Sequence, residues 1–485
     1  MKYQNPIILS DFSDPDCIRY KNNYYMISSS FNHTPIIPIL KSTNLVDWKL
    51  IRYVSDKLPF DKFNEVRHGE GVWAPSIRYH NNMFYIIVPF PDEGIGIYRT
   101  DDIENGEFEF NMLIEGKGLE DPCPIWVNDK CYLVIAFVKS RIGFNSCLAV
   151  YEVSPDLKTK ISDNYKIIFD GHNTQPTIEG PKFYYRNDYF YILAPAGSVK
   201  TGWQTALRSK NVYGPYEEKI VMCQNDSPTN GPHQGALVDV NKDLDVFFHF
   251  QDLGPYGRIV HLEPVKWVND WPLIGNVRDD LLCGTPVLEH DYFIDKTSNY
   301  KLESSDYFKE DKLSLMWQFP ANINDKFYDF NNGLILKCQK SYLALNKFTN
   351  MMLAKICYKS FKISTVIDLK ELGNESSVGL CYMGKEYSYI EVKKRNGKLN
   401  ILLKSGNFDS PMDEVIEIID YNVRIIELNL KYTSPDTYQL GYNGKYFKNK
   451  FKALPGRWVG GKYGLFASGK EGYAYVSYFK VKDVK

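Results

Sequence analysis

No stretch of this 485-residue chain stays apolar for long. The longest such run, Tyr132 to Val138, is far short of the ~20 residues that cross a bilayer as a helix, so no membrane partner is expected. An excess of charge of one sign is also missing: 58 Lys and Arg face 59 Asp and Glu, a net of −1. Nucleic acid needs a basic surface to neutralise its phosphates, so it is not expected as a partner either. No G-x-x-x-x-G-K-[ST] phosphate loop occurs. Cysteine is sparse and unpatterned. The nine residues include no C-x-x-C, and most lie in apolar strand-like runs, which predicts buried free thiols. The opening residues Met1-Lys2-Tyr3-Gln4-Asn5-Pro6 carry no apolar h-region or cleavage site. With the unpaired cysteines, this predicts a reducing, cytoplasmic location. The first 270 residues lack a sustained 3.6-residue apolar period, so helices should be minor there.

Aromatic residues, by contrast, are abundant: 36 Tyr, 28 Phe and 8 Trp make 15% of the chain. They suit strands, and their flat faces suit stacking on sugars or bases. A hydrophobic content of 44% can bury a large core, which excludes disorder. The length is roughly three times that of a typical single domain, so two domains are expected.

Five segments of the first 270 residues share one template. They begin at Asp14 (Asp-Pro-Asp-Cys-Ile-Arg-Tyr-Lys-Asn-Asn-Tyr-Tyr), Ala74, Asp121, Glu179 and, in degenerate form, His233, with spacings of 60, 47, 58 and 54. Each has an anchor residue, a Pro or Gly, a short strand, a tight Asn/Asp turn and an aromatic strand. Asn and Asp tolerate left-handed turn conformations, so each unit reads as a β-hairpin. About 40–50 residues is the size of a four-stranded propeller blade. The units are slightly longer, and five blades around an axis is the expected architecture.

A propeller brings equivalent positions of its blades together at one end of the channel. The anchors Asp14, Ala74 (after Trp73), Asp121, Glu179 and His233 would then meet, which gathers three carboxylates. Three nearby acids are electrostatically expensive, so such a set points to function rather than scaffold. Glycosidic-bond hydrolysis needs one ionised carboxylate and one protonated carboxylic acid flanking the sugar. A neighbouring negative charge would keep the acid protonated near neutral pH. Read this way, two carboxylates do the chemistry and the third tunes.

These motifs resemble glycoside hydrolase family 43. The matching segments are Asn5-Pro6 with Asp14-Pro15-Asp16, Gly71-Val-Trp-Ala-Pro-Ser-Ile-Arg-Tyr79, Asp121-Pro122, and Glu179-Gly-Pro-Lys182. Further on, Asn230-Gly-Pro-His-Gln-Gly-Ala236, Gly257-Arg258 and Trp267-Val-Asn-Asp-Trp-Pro272 complete the set. The resemblance implies that Asp14 is the general base, Glu179 the general acid, and Asp121 the group that keeps Glu179 protonated and oriented. It further implies that Arg258 binds sugar hydroxyls near the base and that Phe31 and Trp73 wall the terminal-sugar subsite. His233 would sit on the axis, where relatives hold Ca²⁺ or a water cluster, so the metal expected is a water-mediated Ca²⁺; no organic cofactor is implied. The family inverts, which implies a base–acid separation in the ~6.5–9.5 Å class. The activity expected is that of an exo-β-xylosidase acting on xylo-oligosaccharides, with α-L-arabinofuranosidase activity as alternative or companion.

From about residue 305 the pattern changes to short alternating strands, with hairpins around Asn396-Gly397 and Asn443-Gly444, which predicts a β-sandwich. It resembles the family's C-terminal sandwich, including Leu315-Met-Trp-Gln318 and Gly456-Arg-Trp458. The fold class expected is therefore all-β: a propeller over 1–295 as catalytic domain, then a sandwich over 305–485. The sandwich would serve as a wall of the pocket or as an independent sugar-binding module. The partners expected are an oligosaccharide substrate and, at most, further copies of the chain in a homo-oligomer. A non-catalytic sugar-binding propeller is the competing class. It would have Asp14 or Glu179 out of register.

Overall fold

A computed structural model describes residues 1–484. Five four-stranded antiparallel sheets follow one another, each ordered as in sequence. They begin with the strands Asp16–Tyr20, Ser76–His80, Leu119–Val127, Lys182–Arg186 and Gly235–Asn241. These are the five blades of a propeller. The Asn/Asp turns account for the hairpins. Asn81 and Asn82, Asn128 and Asp129, Asn187 and Asp188, and Asn269 and Asp270 all take positive φ. Each pair closes a two-residue loop, as in the register His80↔Met83 or Arg186↔Tyr189. Positive φ at both central residues gives the turn whose twist matches the strands it joins.

Alternation along each strand glues the blades together. In the second blade, Phe84, Ile86 and Val88 pack toward the first blade, and Tyr85 and Ile87 toward the third. In the third, Leu133 and Ile135 face back while Val134 and Ala136 face the fourth. Every inner strand is thus buried on both faces, which a period of two permits. The ring closes through the N-terminal segment. Asn5 exchanges two hydrogen bonds with Leu262, Nδ2 to its carbonyl and Oδ1 from its N–H, both 2.9 Å. Ile8 bridges Val260 on the fifth blade before the chain enters the first.

The segment after the propeller is more structured than a plain connector. Glu289–Asp291 pairs with Lys2–Gln4. Cys223 and Cys283 form a disulfide, which corrects the expectation that all nine cysteines are free thiols; the other seven are free. The two lie 60 residues apart, with nothing in the sequence pattern to pair them, but Gly284 bridges Met222 and brings them together.

Two larger antiparallel sheets form the sandwich. One is built on Phe361–Asp368, Ile425–Thr433 and Tyr473–Asp483, the other on Ser377–Met383, Glu386–Arg395 and Lys398–Asn407. Their inner faces share one apolar core, which also takes in Tyr256 and Ile259 of the propeller. Backbone hydrogen bonds join the two units. Thr34 and Phe319 exchange a pair (2.9 and 2.6 Å), and the Gly461 N–H donates to Pro255 O at 2.8 Å. The sandwich thus packs on the propeller through a shared core and backbone pairing.

Candidate active site

The prolines that open the first four blades define the register. Pro15, Pro75, Pro122 and Pro181 are preceded by Asp14, Ala74, Asp121 and Gly180. Asp14, Asp121 and Gly180 share a left-handed backbone (φ 54, 53 and 60). Glu179 therefore stands one residue earlier, in phase with Trp73 and Glu120. This corrects the expectation that the three carboxylates share one repeat phase: they come from two adjacent phases. The corrected register also exposes a fourth acid, Glu120, at the phase of Glu179, and its signal was present in sequence as Glu120-Asp121-Pro122 beside Glu179-Gly180-Pro181. A left-handed non-glycine residue stores about 1–3 kcal/mol of strain, and such strain gathers at functional sites. Phe31 (φ 52) and Trp458 (φ 64) carry it as well.

Two donors grip Asp14. Arg258 Nη1 lies 3.0 Å from Oδ1 and 3.3 Å from Oδ2, and Ser29 Oγ donates to Oδ2 at 2.5 Å. Arg258 is itself oriented, since its N–H donates to Asp11 Oδ1 at 3.0 Å. A Cβ on the preceding Gly257 would come within 2.4 Å of that same oxygen. Asp121 accepts the Gly180 N–H at 2.7 Å, which ties it to the residue beside Glu179.

No donor is aimed at Glu179 with hydrogen-bond geometry among the described residues. Its nearest charged-type neighbour is His233, with Nε2 3.4 Å from Oε1. About a third of the Glu179 side chain (34%) remains accessible, through the mouth of the site, while protein crowds its other sides. Burial pushes its carboxyl up to about 8, the Asp121 charge adds to this, and Arg258 opposes it. Burial is thus the larger cause and the neighbouring acid the smaller, the reverse of the sequence expectation. Burial and the Asp14 charge likewise raise Asp121 to about 6. Glu120 is raised well above its ordinary value by burial and by Asp121, Glu179 and Asp14. Such a site can hold a proton on one carboxyl near neutral pH while a second carboxylate is gripped by a guanidinium.

His233 is buried, and burial with the nearby Arg258 and His249 lowers it to about 3, so it is neutral. Neither of its ring nitrogens has a hydrogen-bond partner among the described residues, and Gln204 Oε1 and Gln234 Nε2 are also buried and unpartnered. These are groups that ordered water satisfies. A directly held Ca²⁺ takes 6–8 oxygens, which an imidazole and amides do not supply. The donor set therefore suits water, or an ion that keeps its own waters.

Aromatic rings line the rim. Phe31 is buried, with its ring 6.3 Å from that of Trp73, and the two segments pair through a Phe31–Val72 bridge. The Arg141 guanidinium lies over Trp73 at 5.5 Å and is paired to Asp92. Trp458 completes the set from the sandwich: its ring is 6.2 Å from Trp73 and 5.9 Å from the Arg258 guanidinium, and it is 48% exposed. Sequence reasoning found Gly456-Arg-Trp458 as a sandwich signature but could not aim it at the propeller. Glycines make the approach possible. A Cβ on Gly69 would meet Arg457 at 2.8 Å, and one on Gly460 would meet the Gly257 backbone at 2.9 Å.

Deeper in the channel, the fully buried Asp16 accepts from Arg78 Nη1 and the Ile77 N–H, each at 2.8 Å, with Lys182 Nζ 3.7 Å away. Sequence reading places this residue in the opening motif but gives it no role. It bonds three blades together. The remaining tryptophans are scaffold: Trp203 donates to Gln175 Oε1 (2.8 Å) and Trp267 to Asp245 Oδ2 (2.7 Å).

The profile described as Glycosyl hydrolases family 43 matches residues 3–272, and that of the β-xylosidase C-terminal concanavalin A-like domain matches 305–482. A protein of Xylanibacter ruminicola whose name assigns it provisionally to the β-xylosidases is 35% identical over 402 residues, spanning 81% of this chain and 73% of that protein. A protein named β-xylosidase from Formosa agariphila is 26% identical over 98% of this chain and 89% of its own length. A solved family 43 protein of Bacillus licheniformis superposes over the whole of both chains with a TM-score of 0.85 at 21% identity, a likeness of fold.

Proposed function

The chain belongs to glycosyl hydrolase family 43, and on that premise we propose that it is an inverting exo-glycosidase releasing D-xylose from the non-reducing end of β-1,4-xylo-oligosaccharides. Residues 1–295 would be the catalytic propeller and 305–485 the accessory sandwich. The observation that carries the reading is the pairing of a proton-holding Glu179, at about 8, with an Asp14 gripped by Arg258 and Ser29. Asp14, ionised, takes a proton from water as that water attacks the anomeric carbon. Glu179 gives its proton to the departing glycosidic oxygen. The attack comes from the face opposite the leaving group, so the released sugar has the opposite anomeric configuration. Asp121 adds the negative charge that holds the proton on Glu179 and fixes its backbone through the Gly180 N–H. Arg258 and the rings of Phe31, Trp73 and Trp458 bind and orient the sugar.

Trp458 supports the exo reading. A sandwich loop that brings Trp458 to 6.2 Å from Trp73 would close one side of the site, which favours a chain end over a continuous chain as substrate. The orphan groups around His233 would be satisfied by ordered water, and any Ca²⁺ there would be held through its own waters.

The test is hydrolysis of nitrophenyl β-D-xyloside and nitrophenyl α-L-arabinofuranoside by the wild type, Asp14→Ala and Glu179→Ala. The xyloside should be cleaved; Asp14→Ala should lose that activity, while Glu179→Ala should lose far less of it than on xylobiose, because nitrophenolate departs without a proton. Preference for the arabinofuranoside would reassign the sugar. Inactivity of the wild type on both would sink the reading. A retained anomer, seen by proton NMR in the first product, would sink the inverting mechanism.

A further inference from the structure

At the active-face rim of the third blade, three side chains that play no part in the proposed hydrolysis converge. Cys147 opens the strand Cys147–Val153, Asp170 ends the strand Lys166–Asp170, and His172 follows two residues later. Cys147 Sγ lies 3.7 Å from His172 Nδ1 and 3.9 Å from Asp170 Oδ1, and those last two atoms are 2.6 Å apart. Tetrahedral Zn²⁺, with bonds of about 2.3 Å to sulfur and about 2.0–2.1 Å to nitrogen or oxygen, sets its ligand atoms roughly 3.3–3.6 Å apart. The two sulfur distances are already close to that spacing. The Asp170–His172 hydrogen bond has only to open by less than an ångström. Asp170 and His172 are exposed, so an ion can enter from solvent; Cys147 is buried, so its sulfur is held from behind. Thiolate, imidazole and carboxylate together are a zinc donor set.

The other His-containing cluster contrasts with this one. His249, His261 and Glu263 are fully buried and already hydrogen-bonded. Glu263 accepts from the Val287 N–H and from Asn5, and faces His249 at 3.2 Å. His261 Nε2 lies 3.2 Å from Gln251 Oε1. In that network only His261 Nδ1 lacks a partner among the described residues, and all three side chains are buried.

We propose that Cys147, Asp170 and His172 form a Zn²⁺ site with one position left for water. The thiol proton leaves to solvent as the Zn–S bond forms. Sequence spacing could not show the site, because 23 residues separate Cys147 from Asp170 and only the blade's antiparallel pairing, Cys147↔Asp170, joins them. The ion would sit at the root of the loop that leads to Glu179. That loop is already pinned there, by Gly171 N–H to Ser146 O (2.8 Å) and Thr177 N–H to Ser146 Oγ (2.9 Å). A bound ion would add a third clamp.

The test is titration of chelator-treated, desalted full-length protein with Co²⁺, then Zn²⁺. One equivalent of Co²⁺ should give a thiolate-to-metal charge-transfer band, which Zn²⁺ then bleaches. Cys147→Ser should lose the band, and His172→Ala, on an exposed side chain that the fold does not need, should weaken Zn²⁺ binding at least tenfold. Cys357→Ser, which changes the one free thiol that is not buried, should keep the band. No band in the wild type, a band that survives Cys147→Ser, or unchanged Zn²⁺ affinity in His172→Ala would each overturn the site.

Discussion

The propeller and the sandwich bury acids in opposite ways. In the sandwich, Asp413 is 4% exposed and fully partnered: Tyr387 Oη (2.7 Å), Tyr389 Oη (2.9 Å) and the Leu345 N–H (2.7 Å) all donate to it. In the propeller, Glu179 has no donor with hydrogen-bond geometry, and His233 beside it has two bare nitrogens. Burial of a polar group without a partner costs about 1–3 kcal/mol. Asp413 avoids that cost. A catalytic site accepts it, because the missing partners are substrate and water. Unmet hydrogen-bonding capacity, rather than charge alone, separates Glu179 and His233 from Asp413.

Removing the acids should produce the largest effect. Glu179→Ala should lower kcat/KM on xylobiose by about 10²–10⁴-fold, the usual worth of a general acid. The loss should be much smaller on a nitrophenyl xyloside, whose leaving group needs no protonation. Asp14→Ala should be crippled on both substrates alike. If Asp413→Ala, refolded and equally populated, lost as much activity, the division of labour between the two regions would fail.

Next comes the scaffold of the channel itself. Asp16→Asn leaves Arg78 and Lys182 without their shared anion, which should cost about 3–5 kcal/mol of stability. Asp413→Asn strands only neutral donors and should cost about 1–3 kcal/mol. Denaturant unfolding of both variants gives the comparison, and equal costs would contradict the picture of an ion-bonded channel beside a neutral sandwich.

The contribution of the sandwich to the site should be smaller. Trp458→Ala should raise KM for xylobiose by roughly tenfold or more, the equivalent of about 1.5–3 kcal/mol of lost apolar contact, with kcat nearly unchanged. An unaltered KM would show that the loop stands clear of substrate.

The blades, the sandwich hairpins and the four residues Asp14, Asp121, Glu179 and Arg258 were legible because each is carried by local sequence. The turns are Asn/Asp pairs, Asp14 and Asp121 stand directly before prolines, and Glu179 stands two residues before one. Trp458 and the Cys147 cluster were not legible, since both depend on packing between segments far apart in the chain. Glu120 and the true phase of Glu179 were legible in principle. The proline register gives both, but alignment on the acids themselves conceals them.

The smallest effect bears on how Glu179 keeps its proton. Its carboxyl is raised, so the acid is active below about 8, and the alkaline limb of kcat/KM should fall as pH rises through that value. Asp121→Asn removes a negative charge, which makes the ionised form of Glu179 easier to reach. The limb should therefore move to lower pH, by about one unit for a single nearby charge. It should not return to the ordinary carboxylate range, because burial is the larger cause and the substitution leaves burial in place. Collapse of the limb to about 4–5, the ordinary Glu value, would mean that the neighbouring charge dominates and that the enclosing protein contributes little. A limb that does not move would mean that Asp121 serves only to hold Gly180, since the Asn oxygen can still accept that N–H.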